Sequence, residues 1–245
     1  MTFFRAAPLH KLFYECPVLP LRFIESAAFQ LCGIMKHLHS AAGVVYRDLK
    51  LPNILLDLEG QIKLVDFGHS AVIGAAAGGD GEKKGQLSDA VGTHHVRAPE
   101  VWSGPSSYGF SCDFFSFGIV LYEMLFGKPP FGFDAPRSCD LRQAEDVNKV
   151  LSDAVGLLAL AKRYRISLQQ SAPGQEQDPK KQQAQLALDL LRNLLILDPS
   201  KRLCDWDGLL NHPFFDLPSW AGGTDAFLCA ADELLEEVEM QTLGL

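Results

Sequence analysis

The sequence has no C-x-x-C pair. Its six cysteines, Cys16, Cys32, Cys112, Cys139, Cys204 and Cys229, stand apart from one another, which argues against a zinc site or a redox pair. Most lie in apolar runs, where a thiol behaves as a small hydrophobe, so a cytoplasmic or other intracellular, reduced compartment is expected. Positive charge is in short supply: 22 Lys and Arg face 30 Asp and Glu, a formal net charge of −8. A nucleic-acid binder carries a basic footprint, so no nucleic-acid partner is expected. Long apolar runs are lacking too. The stretch "AVGLLALA" at 154–161 is far too short to cross a bilayer. The opening "MTFFRAAPLHKLFYECP" has no extended apolar core ahead of a small-residue cleavage site. Neither a membrane partner nor a secretion signal is expected.

What is present reads as globular: 245 residues, 47% hydrophobic and 21% charged. After Pro20, residues 21–38 place Phe23, Ala27, Leu31, Ile34, Met35 and Leu38 at helical spacing. "NILLDLEGQIKLVDFG" predicts two short strands around a Glu-Gly turn. Residues 69–90, rich in Gly, Ala and charge, read as a long loop. "FFSFGIVLYEMLF" at 114–126 is apolar almost all round and predicts a buried helix. Residues 140–168 read as mostly helical, and 169–183 as a polar insert. "AQLALDLLRNLLILDPSKR" reads as an amphipathic helix stopped at Asp198-Pro199, and the acidic tail 217–245 as one more helix. The expected class is mainly α with a small β-hairpin element.

The chemistry gathers in "VVYRDLKLPNILLD", residues 44–57. Phosphoryl transfer asks a protein for an oriented hydroxyl, a divalent metal and a cation near the transferred group. Asp48 can accept the hydroxyl proton, and Lys50 can hold the γ-phosphate of ATP. Asn53 and Asp66 can offer the oxygen ligands that Mg²⁺ prefers. The hairpin between them returns the chain close to its start.

"YRDLKLPN", "DFG" (Asp66–Gly68) and "APE" (Ala98–Glu100), in that order, resemble the signature set of the eukaryotic protein kinases. The resemblance extends through "YGFSCDFFSFGIVLYEMLFGKPPF" and "LDPSKRLCDWDGLLNHPFF" and covers residues 1–216. It implies a kinase C-lobe with ATP and Mg²⁺ as cofactors and a Ser- or Thr-bearing protein or peptide as substrate. Asp48 and Lys50 are then catalytic, and Lys50, Asn53 and Asp66 bind the nucleotide and metal. Asp113 braces the catalytic loop, although a helix N-cap would account for that residue alone. Glu100 pairs with Arg202, and Phe67 and Gly68 complete the "DFG". The activation segment is 66–100. Tyr46 in place of His, and the aromatics Phe114 and Phe115, are similar to the AGC group of Ser/Thr kinases. Lys50 and Thr93 also resemble Ser/Thr rather than Tyr kinases. In the AGC pattern a phosphorylated Thr lies three residues before the Gly of "GT"; here that residue is Asp89, which can pair with Arg47. Glu123 stands where the family holds a substrate Arg, while the second family acid is replaced by Pro52.

The sequence also departs from the family. No G-x-G-x-x-G occurs, Lys11 and Lys36 are the only lysines before Lys50, and no Phe-x-x-Phe follows in the tail. These absences give the expectation that the N-lobe is missing from the chain. Tyr46 and Phe67 would then face water, and a partner could cover that face. Two functions follow: a Ser/Thr protein kinase recorded as a fragment, or a catalytically inactive kinase-like scaffold that binds partner proteins.

Overall fold

The computed structural model describes residues 6–15, 18–73, 87–102, 108–131, 151–168 and 178–215. The tail helix, the cysteines Cys16, Cys139 and Cys229, and most of the loop after Ile73 lie outside them. Three long helices carry the core. α2 (Leu21–Ser40) follows Pro20 and buries Phe23, Ile24, Ala27, Leu31 and Met35 along one face, as its spacing predicts. α4 (Ser111–Phe126) is buried from Cys112 to Leu125. It stops at Gly127, whose φ of 77° lets its N–H close on the Glu123 carbonyl at 2.8 Å. α6 (Pro179–Leu194) is capped by the Asp178 carboxylate, with Pro179 in its first turn. It therefore begins inside the stretch read as a polar insert and ends at Leu194, ahead of Asp198-Pro199. Its residue Gln183 is buried against Glu25 of α2. A Cβ on Gly118 of α4 would lie 2.8–2.9 Å from Leu194 and Leu195 side chains, so the glycine sets how closely α4 and α6 pack. α1 (Leu9–Glu15), α3 (Pro99–Trp102), α5 (Asp153–Tyr164) and α7 (Trp206–Leu210) fill in around them.

The expected hairpin forms from β3 (Ile54–Asp57) and β4 (Ile62–Leu64), with Ile54 opposite Leu64. The Asp57 carboxylate fixes its turn by accepting the Glu59 and Gln61 N–H groups at 3.0 and 2.8 Å. The β structure does not end there, however. β1 (Ala6–Pro8) pairs antiparallel with the free edge of β3, and β2 (Val44–Val45) pairs with β5 (Ala71–Val72) in a second sheet. The expectation of a mainly α chain with one hairpin and an absent N-lobe is thus corrected on its β content. "AAP" escaped notice because a three-residue strand that joins a sheet through its backbone needs no β-branched alternation. No helix among the described residues is long and apolar enough to cross a membrane. Cys32 and Cys112 are buried free thiols and Cys204 is an exposed one.

Candidate active site

The run that carries Asp48 leaves β2 at Val45 and turns sharply, because Arg47 takes a left-handed φ of 71°. A non-glycine residue holds that conformation only where its surroundings impose it. Here the Asp113 carboxylate does so, accepting Tyr46 N–H at 2.7 Å and Arg47 N–H at 2.8 Å. Its Oδ2 also lies 2.8 Å from His39 Nε2. Asp113 is therefore no N-cap. Phe110 holds that position without a side-chain bond, and Asp113 sits in the first turn with its carboxylate facing the loop.

Asp48 is closed in by donors. Its Oδ1 accepts Thr93 N–H at 2.8 Å, while Asn53 Nδ2 reaches its Oδ2 at 3.1 Å and its carbonyl at 3.0 Å. Lys50 Nζ lies 2.8 Å from Asp48 Oδ2 and donates to Thr93 Oγ1 at 2.7 Å. Burial pushes the Asp48 carboxyl up, but the bonds from Lys50 and Thr93 outweigh it and hold the group below its ordinary range. Thr93 can come this close because Gly92 precedes it. With φ of 86°, a Cβ there would fall on the Arg47 carbonyl oxygen.

The hairpin places the second half of the site. Val65 N–H donates to the Asn53 carbonyl at 3.0 Å, one step beyond the Ile54–Leu64 pair, so Asp66 directly follows the residue bonded to Asn53. Tyr46 Oη donates to the Val65 carbonyl from the other side. Asp66 has a φ of 61° and an exposed side chain whose Oδ1 accepts Gly68 N–H at 3.2 Å. Phe67 is 48% exposed and meets Tyr46 edge-on at 5.3 Å. Tyr46 is fully buried, which corrects the expectation that both rings face water. The donor chemistry fits a hard cation. Asn53 spends its amide nitrogen on Asp48, which leaves its oxygen available, and Asp66 keeps an uncommitted carboxylate oxygen.

Other expected residues gather around this centre. Arg47 Nη1 pairs with Asp89 Oδ1 at 2.8 Å and reaches Tyr108 Oη at 3.1 Å, and its Nε donates to the His69 carbonyl. Tyr108, which the sequence did not single out, donates to the Asp89 carbonyl at 2.7 Å. Burial first of all pushes its phenol up to about 12. Arg202 grips Glu100 through two bonds of 2.6 and 3.0 Å, and its guanidinium lies over the Phe115 ring. Glu123 lies apart from this cluster. It is buried, and burial alone pushes its carboxyl up to about 7. His39 and Trp206 were missed as well. A buried histidine in an amphipathic helix leaves no pattern in the chain.

The family model described as protein kinase domain matches residues 1–215. The match takes in the N-terminal part of the chain. This overturns the expectation of a domain without its N-lobe. "Probable serine/threonine-protein kinase glkA" of Dictyostelium discoideum is 31% identical over 196 residues, covering 80% of this chain and 39% of that protein. "Protein kinase 3" of the same organism is 34% identical over 206 residues, covering 80% and 19%. "Mitogen-activated protein kinase hog1" of Blastobotrys adeninivorans is 32% identical over 220 residues, covering 84% and 49%. The chain thus spans between about a fifth and a half of the length of these relatives.

Proposed function

Because this chain belongs to the protein kinase domain family, we propose that it transfers the γ-phosphoryl group of ATP to a Ser or Thr hydroxyl of a protein or peptide. The observation that carries the reading is the Asp48 cluster. A buried carboxylate is held below its ordinary range by Lys50 and Thr93 and takes a bond from Asn53, and the hairpin that follows Asn53 brings the exposed Asp66 back toward it. In the transfer, the substrate hydroxyl oxygen bonds to the γ-phosphorus as the bond to the β-bridging oxygen breaks. The hydroxyl proton passes to Asp48 and ADP leaves. Asp48 orients that hydroxyl, and Lys50 faces the charge that gathers on the γ-phosphoryl oxygens. Asn53 and Asp66 would hold Mg²⁺, which when bound neutralises phosphate charge.

The relatives include mitogen-activated protein kinases and give no support to the AGC likeness, which rests on Tyr46 and the Phe114 and Phe115 pair alone. For substrate choice, Glu123 is the acid proposed to meet a substrate Arg, and Pro52 removes the second one, so the preference for Arg is weakened. A reducing intracellular setting is proposed from the free thiols. A second reading, a kinase-like scaffold without catalysis, is favoured by one feature: the sequence has no G-x-G-x-x-G to cover phosphates. The two separate by calorimetry with millimolar Mg·ATP and by transfer of labelled γ-phosphate to a Ser peptide. The kinase reading expects a raised melting temperature and a labelled peptide. A scaffold gives neither.

A further inference from the structure

Trp206 belongs to none of the motifs of the catalytic run, yet its indole reaches that run in two steps. Asp205 caps α7 by accepting the Asp207 and Gly208 N–H groups, which sets Trp206 at the start of the helix. The indole stacks on Phe114 at 4.0 Å between centroids, with Phe117 edge-on at 5.8 Å. Lys36 of α2 pairs with Asp207, so α7 is tied to α2 just ahead of His39. Trp206 Nε1 lies 2.8 Å from His39 Nδ1. An indole nitrogen can only donate, so His39 Nδ1 presents a lone pair and carries no proton. The ring hydrogen is then on Nε2, which donates to Asp113 Oδ2 at 2.8 Å. The three residues are buried, with Trp206 5%, His39 8% and Asp113 0% exposed.

The choice of tautomer matters to the loop. The protonation of one imidazole nitrogen is set by the bond that the other makes. With the proton on Nδ1 instead, the Nε2 lone pair would face the Asp113 carboxylate, acceptor against acceptor. That carboxylate holds the Tyr46 and Arg47 N–H groups, and Arg47 occupies a backbone conformation it would not hold alone. Asp48 is the next residue.

We propose that Trp206 is a positioning residue for phosphoryl transfer. By holding His39 Nδ1 as an acceptor, it fixes the ring so that the Nε2–H meets Asp113, aims that carboxylate at the Tyr46 and Arg47 N–H groups and so presets Asp48. The catalytic half of this inference rests on the kinase reading. The tautomer and loop half rests on geometry alone. Trp206→Phe keeps the stacked ring and removes only the donor. In the full chain it is expected to lower kcat about fivefold, with KM for Mg·ATP and peptide unchanged, the effect of losing one buried hydrogen bond. Long-range ¹⁵N–¹H spectra of the histidine rings are expected to show the His39 Nδ1 resonance shift as its bond from the indole is lost. Amide exchange at Tyr46 and Arg47 is expected to speed up.

A second pair of variants separates bonding from packing. His39→Gln can accept from the indole and donate to Asp113, so it is expected to stay near wild type in amide exchange and kcat, while His39→Leu loses both. An unchanged His39 signature and unchanged exchange in Trp206→Phe overturn the proposal, as does an equal loss in His39→Gln and His39→Leu. Unchanged kcat in an active chain whose loop has loosened overturns its catalytic half. If the wild-type chain transfers no phosphate at all, the kinase reading fails, and the ring and amide signatures still decide whether Trp206 positions the loop.

Discussion

Glu123 is a buried carboxyl in the mostly apolar α4, and among the described residues no ion pair compensates it. Burial raises its proton affinity to about pH 7, from an ordinary 4.5. The folded chain therefore binds this proton more tightly than the unfolded chain between those values. Stability falls as pH rises through that window, and the full penalty is present above pH 7. Glu123→Gln is expected to stabilise the fold at pH 8 by on the order of 3 kcal/mol and to do little at pH 4.5, as measured by urea unfolding at the two pH values. On peptide arrays the same variant is expected to lose what preference for Arg remains. Equal unfolding midpoints at pH 8 would show that the carboxyl finds a partner. Asp48 behaves in the opposite sense. Its carboxyl is held low, so its contribution is present above the ordinary carboxylate range and is lost only as pH falls through its lowered value. At this scale the sequence was informative where a motif fixes spacing, as with Asp48, Asn53 and Asp66. Glu123 could be placed by motif, but its isolation could not, since burial depends on neighbours remote in the chain.

At the scale of elements, the stretch around Asp89 is held by a clasp built from three parts of the chain. Arg47 comes from the turn after β2, Asp89 from that stretch itself and Tyr108 from just before α4. A backbone bridge between Leu87 and Tyr108 runs beside it, with bonds of 2.8 and 2.9 Å. Asp89 supplies the clasp with a carboxyl side chain of its own, so the clasp forms without a phosphate, although a phosphate would carry more charge. Asp89→Ala is expected to speed proteolysis around residues 87–93 and to lower activity several-fold without any change in phosphorylation. Limited proteolysis with a parallel activity assay checks this, and unchanged cleavage would count against the clasp. Asp89 and Arg47 were legible in the sequence because they stand at motif distances. Tyr108 was not, because only the folded chain brings it to them. The same holds for Asp113: the sequence allowed an N-cap, and the direction of its carboxylate, turned inward from the first turn of α4, appears only when α2, β2 and α4 meet.

Across the whole molecule, Arg202 ties the end of the domain to its middle. It spans 102 residues to reach Glu100, and it also donates to the carbonyls of Ser111, Ile196 and Leu197 at 2.8, 2.9 and 3.2 Å. Both side chains are buried. Removing one partner of a buried ion pair strands the other, at a cost of about 3–5 kcal/mol. Arg202→Ala is expected to destabilise the fold by that amount in urea unfolding, and a loss below about 1 kcal/mol would mean that the pair is solvated. The helical frame was readable from periodicity, and the hairpin from its turn. The extra strands β1 and β5 were not, because their pairing is set by backbone proximity rather than by side-chain pattern. Under the proposed function, this frame presents Asp48 as the proton acceptor of phosphoryl transfer, with Asp66 reserved for the metal-bound nucleotide. The most direct measurement compares Asp48→Asn and Asp66→Ala in the full chain for transfer of labelled γ-phosphate to a Ser peptide and, by calorimetry, for Mg·ATP binding. Asp48→Asn is expected to abolish transfer while binding stays near wild type, and Asp66→Ala to abolish both. Transfer that survives Asp48→Asn, or matching losses of binding in the two variants, would contradict the account.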